Sequence, residues 1–130
     1  MATNPTYAAN PRVIDSATVS AANTNRDGTG TIVSIASGST AGLKITSVVA
    51  QATVTTTNGM IRLFISTDSG STWTLFDEIP VGAVTVSASA NAYRGVKSYN
   101  DLVLFGSAVR LGASTHNAEN FRVYALGADL

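Results

Sequence analysis

The residues that most constrain this chain are apolar side chains placed two apart. Near the C-terminus Val109, Leu111 and Ala113 alternate with Arg110, and Phe121, Val123 and Ala125 alternate with Arg122. A period of two places one set of side chains in a core and the other in water, which a strand does and a helix cannot. The same pattern recurs along the chain in short β-branched runs broken by Gly, Asn, Ser and Asp, and helical periodicity is almost absent.

Eight strands follow from this reading. They run Arg12–Ala21, Thr31–Ala36, Leu43–Thr55, Met60–Ser66, Thr72–Ile79, Ala83–Ser89 continuing through Tyr93–Ser98, Ser107–Ser114, and Asn120–Leu126. Within Leu43–Thr55 the apolar phase switches near Ser47, which predicts a β-bulge. A second parity change is expected at Phe76, and Pro80 is expected to end its strand because it cannot donate to a ladder. Short antiparallel strands with turns at regular intervals predict an all-β, two-sheet antiparallel sandwich, and specifically a jelly roll. The segment 1–11 has two prolines and little pattern, and is read as an extended N-terminal arm on a domain spanning 12–130.

Composition narrows the function classes. With 130 residues the chain makes one domain, too short for a propeller. Eight basic and eight acidic residues cancel, with no basic cluster of the kind that follows a phosphate backbone, so nucleic acid is not an expected partner. The absence of cysteine removes disulfides and thiolate metal sites. No stretch reaches membrane-spanning length and the N-terminus lacks a secretory pattern, so the expectation is a soluble protein made in a cytoplasm, without a membrane partner.

The octet "STDSGSTW", Ser66 to Trp73, matches the Asp-box pattern of sialidase propeller blades. Its residue types also meet the needs of a hairpin connection. Asp68 can accept from backbone amides ahead of it, Gly70 supplies a positive φ, and Trp73 can fold across the hairpin base. A structural clip is the expectation, since a local motif carries no chemistry by itself.

Other chemistry is thinly represented. His116 is the single histidine and falls in a turn, "STHNAEN", where exposure is expected; a triad with Ser114 or Asp101 has nothing to fix it. Asp77 and Glu78 are adjacent on a strand and should point to opposite faces, which rules them out as a glycosidase pair. The loop "NRDGTG" holds one carboxylate, too few for calcium, and Gly28 and Gly30 make no dinucleotide fingerprint. The chain is therefore expected to be no enzyme and to need no cofactor or metal. Sugar binding would draw on Trp73, Tyr93 and Tyr99, with Phe105 and Phe121 reserved for the core.

Four stretches, "MATNPTYAANPRV", "ANTNRDGTGTI", "GMIRLFI" and "VRLGASTHNAENFRVYALGADL", together resemble small virion structural proteins of tailed bacteriophages and prophages. The resemblance implies a jelly-roll capsid decoration, or cement, protein that binds the major capsid protein on the outside of an icosahedral head and assembles as a homotrimer. It implies synthesis in the bacterial host cytoplasm. A tail or head-surface adhesion module that binds carbohydrate or a receptor is the alternative. In the cement reading the arm is the clamp, with Asn4, Pro5, Tyr7, Asn10 and Pro11 at the capsid or subunit interface and Tyr7 as the apolar anchor. Pro5 and Pro11 would reduce the entropy lost when the arm docks.

Overall fold

The computed structural model describes residues 10–130, with side chains described from Asp15 onward. Among these residues there is no helix. Eight strands run in chain order: β1 (Asn10–Val19), β2 (Val33–Ser37), β3 (Leu43–Ala52), β4 (Gly59–Ser66), β5 (Thr74–Val81), β6 (Arg94–Leu104), β7 (Arg110–Thr115) and β8 (Phe121–Asp129). They form two antiparallel sheets of four, ordered β1-β8-β3-β6 and β2-β7-β4-β5. Each sheet thus interleaves early strands with late ones, and the two sheets pack face to face. That is a jelly roll.

The core lies between the sheets and is built by alternation. Ile45, Val48, Ala50, Phe121 and Val123 project from one sheet; Ile61, Leu63, Leu111 and Ala113 project from the other, and all are buried. The phase switch in β3 is a register shift between Ile45 and Ser47 against both of its neighbours. The bulge lets Ile45 and Val48 share the inner face although they are three positions apart, an odd spacing. In β5 the shift falls where Leu63 pairs with Asp77 and Phe64 with Leu75, so Phe76 is the extra residue.

Three boundaries differ from the sequence reading. Ala83–Ser89 is not a strand: it makes only the isolated bridges Thr56↔Val84 and Ser87↔Ala90. The sixth strand is Arg94–Leu104, whose polar residues hide it from a hydrophobic pattern because it is the edge of its sheet. Pro80 does not end β5; it pairs with Met60 and the strand runs on to Val81. β5 is also an edge, where a missing amide need cost no ladder bond. Asn10 and Pro11 open β1 opposite Asp129 and Ala128. The other arm residues, Asn4, Pro5 and Tyr7, lie outside the described residues.

Candidate functional site

The octet closes the β4–β5 hairpin, and its side chains bond to the turn itself. Ser66 Oγ donates to Asp68 Oδ1 at 2.7 Å and accepts the Gly70 amide at 2.8 Å. Asp68 Oδ1 also accepts the Thr72 amide at 2.9 Å, and Oδ2 accepts the Thr72 hydroxyl at 2.5 Å. The chain turns through left-handed conformations at Ser69 (φ 61°) and Gly70 (φ 91°). The bonds that Asp68 accepts from Thr72 and Ser66 favour its ionised carboxylate. The Thr72 hydroxyl and amide, then the Ser66 hydroxyl, hold Asp68 down to about 2. Both oxygens of Asp68 are thereby engaged within the turn.

Trp73 packs outside the sandwich rather than within it. Its ring lies against the backbone of Gly112 on β7, where a Cβ would fall 2.7 Å from Cζ3. The segment 20–32, between β1 and β2, folds over the same outer face of the β2-β7-β4-β5 sheet. Gly28 abuts the Trp73 carbonyl, and Ile32 reaches Gly112 beside the indole. Asn23 organises this cover: its amide donates to the carbonyls of Thr29 and Thr31 at 2.9 and 3.0 Å, and its Oδ1 accepts the Asn25 amide. Asp27 makes an ordinary Asx turn, accepting the Thr29 hydroxyl and amide, which lower its pKa.

Beneath that cover lies a charged cluster that the alternation pattern does not reveal. Arg62 is 2% exposed, on the outward side of β4. Its Nε donates to Glu78 Oε2 at 3.0 Å, and Nη1 donates to the Asn23 carbonyl at 3.3 Å. Both Nη atoms sit 3.3 Å from His116 Nδ1. A guanidinium only donates, so Nδ1 is the acceptor and the neutral ring carries its proton on Nε2. Arg26 Nε reaches the same Glu78 oxygen at 2.9 Å. His116 is half-buried, not the exposed turn residue the sequence suggested. Its Nδ1 faces Arg62, and no hydrogen bond joins it to Ser114 or Asp101 among the described residues. Ser114 pairs with Arg62 in the ladder, and its hydroxyl is buried without a partner.

Asp77 and Glu78 do point to opposite faces. Glu78 meets the outer cluster, whereas Asp77 Oδ2 accepts the Tyr99 hydroxyl of β6 at 2.8 Å, and Lys97 Nζ stands 3.6 Å from Oδ1. Burial raises the Asp77 pKa, but the bonds from Tyr99, the Glu78 amide and Lys97 outweigh it and the net shift is downward. Tyr99 moves up, through burial first and the Asp77 bond second. The rings considered for sugar stacking are thus engaged inside the chain. Trp73 covers Gly112, and Tyr99 lies 5.5 Å from Phe76. Tyr93 donates to the Pro80 carbonyl and meets Phe121 edge-on at 6.4 Å.

Phe121 is in the core, as read from the sequence, but Phe105 is not. Phe105 is 68% exposed and Val103 39%. Leu104 takes the inward position at the end of β6, so Phe105 falls past the edge of the core, just before the left-handed turn at Gly106 (φ 95°). A Cβ at Gly42 would sit 3.1 Å from Val103, 3.4 Å from Leu130 and 3.5 Å from Phe105, so these three side chains gather around one glycine. Asn10, Asp129, Leu43 and Leu104 form one row across the sheet at this end. β1 therefore begins, at Asn10, at the same end of the sheet as the apolar cluster.

Comparison with protein-family models, curated proteins and solved structures returns no match.

Proposed function

We propose that this protein is a structural component of a bacteriophage virion, a decoration or cement protein that attaches to the major capsid protein. The observation that carries the reading is the apolar end of the jelly roll. Val103, Phe105 and Leu130 collect there around Gly42, at the end of the sheet where β1 begins at Asn10. Contiguous exposed apolar side chains of this kind mark contact sites for other polypeptides. An arm with Tyr7 and an apolar end-surface would together make one continuous attachment area, and many copies would hold a shell through a modest individual contact. The engagement of Asp68, His116, Tyr93 and Tyr99 in bonds within the fold favours this role over catalysis.

The test is co-sedimentation of the purified full-length protein with phage particles stripped of their accessory proteins, followed by cryo-electron microscopy of the loaded heads. Density for a β-sandwich on the head exterior is expected. Phe105→Glu should leave the melting temperature near wild type and reduce retention on particles. Unchanged retention of that variant, or density confined to the tail, overturns the assignment.

A further inference from the structure

The two outer faces of the sandwich are treated differently by the fold. Segment 20–32 covers the β2-β7-β4-β5 face. The side chains on the β1-β8-β3-β6 face fall into in-register rows. One row is Thr18, Arg122, Gln51 and Arg94; the next is Ser16, Tyr124, Val49 and Val96. Val49 belongs to this outward set yet is only 2% exposed, whereas Val96 beside it is 52% exposed. Val49 therefore forms the floor of a depression. Gln51, Arg94, Tyr124 and Leu126 complete it, and it encloses about 310 Å³.

Its cation is pre-positioned and not neutralised. Gln51 donates from Nε2 to the carbonyls of Ala52 and Tyr93, which fixes its amide. The Oε1 so oriented accepts Arg94 Nη1 at 3.3 Å, and the rest of the Arg94 fork has no partner among the described residues. Arg122 and Lys44 occupy outward positions of the same sheet. No carboxylate lies in the two rows that frame the depression. Asp15 and Asp129 fall in inward rows of β1 and β8, and Asp101 is exposed on β6 but seven residues along the strand from Arg94. Asp27, Asp68, Asp77, Glu78 and Glu119 belong to the other sheet or its loops. In a molecule of zero formal charge, the surroundings of the depression are thus cationic, with Arg94 and Arg122 in its rows and no carboxylate among them.

We propose that this depression is a binding site for a carboxylated sugar, a uronic-acid residue of an acidic glycan. An apolar floor with one aromatic side chain suits the C–H face of a sugar ring, and an open guanidinium fork suits a carboxylate bidentately. The volume is at the small end for a ligand site, and matches a glycan unit better than a protein epitope. The site uses none of the residues of the apolar end, so it stands or falls independently of the capsid reading.

The experiment is amide-resolved NMR titration of the full chain with trigalacturonate, with maltotriose, dextran sulfate and poly-L-glutamate as separate arms. Shifts confined to the neighbourhood of Gln51, Arg94 and Tyr124 are expected with trigalacturonate, together with weakening at higher salt. Arg94→Gln should weaken the interaction about tenfold or more, the loss of one charge-assisted pair. Arg94→Lys should recover part of it, because a point charge lacks the fork. Arg94 is exposed, so an unchanged melting curve is expected for both variants. The proposal is overturned by absence of shifts at millimolar trigalacturonate, by shifts insensitive to Arg94→Gln, or by equal response to maltotriose. Preference for dextran sulfate or poly-L-glutamate also overturns it, in favour of a sulfate or an acidic polypeptide.

Discussion

Trp73 and Gly112 are in contact across two strands that are not neighbours. The indole, just before β5, lies over the backbone of β7, with Cζ3 and Cη2 2.7 and 2.8 Å from where a Gly112 Cβ would be. Phe64 of β4 pairs with Gly112 and is completely buried on the same outer side. A second, smaller apolar layer is thus built outside the sandwich, and the glycine is its seat.

Gly112→Ala should consequently overpack this layer. Ile32 Cγ2 would be 2.9 Å from the new methyl, so the indole and Ile32 would both have to move. A loss of about 1–3 kcal/mol in urea denaturation is expected. Trp73→Leu should soften the clash, so the double variant should be less destabilised than the sum of the singles. Strict additivity would mean that the indole does not occupy this position.

The Arg62 cluster yields a different kind of prediction. Arg62 is sunk beneath segment 20–32, and its compensating charge is Glu78, whose side chain is 27% exposed. Removing one member of a buried pair leaves the other uncompensated, at a cost of roughly 3–5 kcal/mol. Partial exposure and the remaining acceptors, His116 Nδ1 and the Asn23 carbonyl, reduce this. Glu78→Gln is expected to cost about 2 kcal/mol in chemical denaturation. Arg62→Met/Glu78→Leu should lie nearer to wild type than Glu78→Gln, because an apolar pair needs no charge compensation. A double variant less stable than the single would show that the cluster contributes more than it costs to desolvate.

Much of the sandwich was legible because alternation is a direct image of burial. The bulge at Ser47 and the extra residue Phe76 were both visible as phase changes, since an inserted residue moves every later side chain to the opposite face. Ala83–Ser89 was misread for the same reason. Val84 and Val86 alternate like a strand, but the segment is held by buried Thr56, whose hydroxyl donates to the Gly82 carbonyl and accepts the Val84 amide. Local pattern cannot distinguish a ladder from bonds of that kind. Arg62, Glu78 and His116 escaped because they are far apart in sequence and their outward positions look solvated until segment 20–32 closes over them. The cup around Arg94 was hidden likewise: Gln51, Arg94 and Tyr124 sit on three different strands, and only their register makes them neighbours.

Asp68 gives a pH prediction with a definite sign. Its pKa in the folded chain is about 2, below the ordinary 3.8, because Thr72 and then Ser66 bond to the ionised form. In the unfolded chain those bonds are absent. A depressed carboxylate contributes stability that is fully present above the unfolded pKa and is lost as pH falls through the folded one. The wild-type protein should therefore melt above Asp68→Asn by a constant margin at and above about pH 5. That margin should shrink as the pH falls from 3.8 through about 2, and only below the folded pKa are both side chains neutral. The asparagine can still accept at its one oxygen, so the hairpin persists and the variant folds. Thr72→Val should narrow the margin too, because it removes the 2.5 Å bond to Oδ2. The decisive record is a pair of melting curves at each pH; a margin that stays level down to pH 2 would detach the octet's stability from the charge on Asp68.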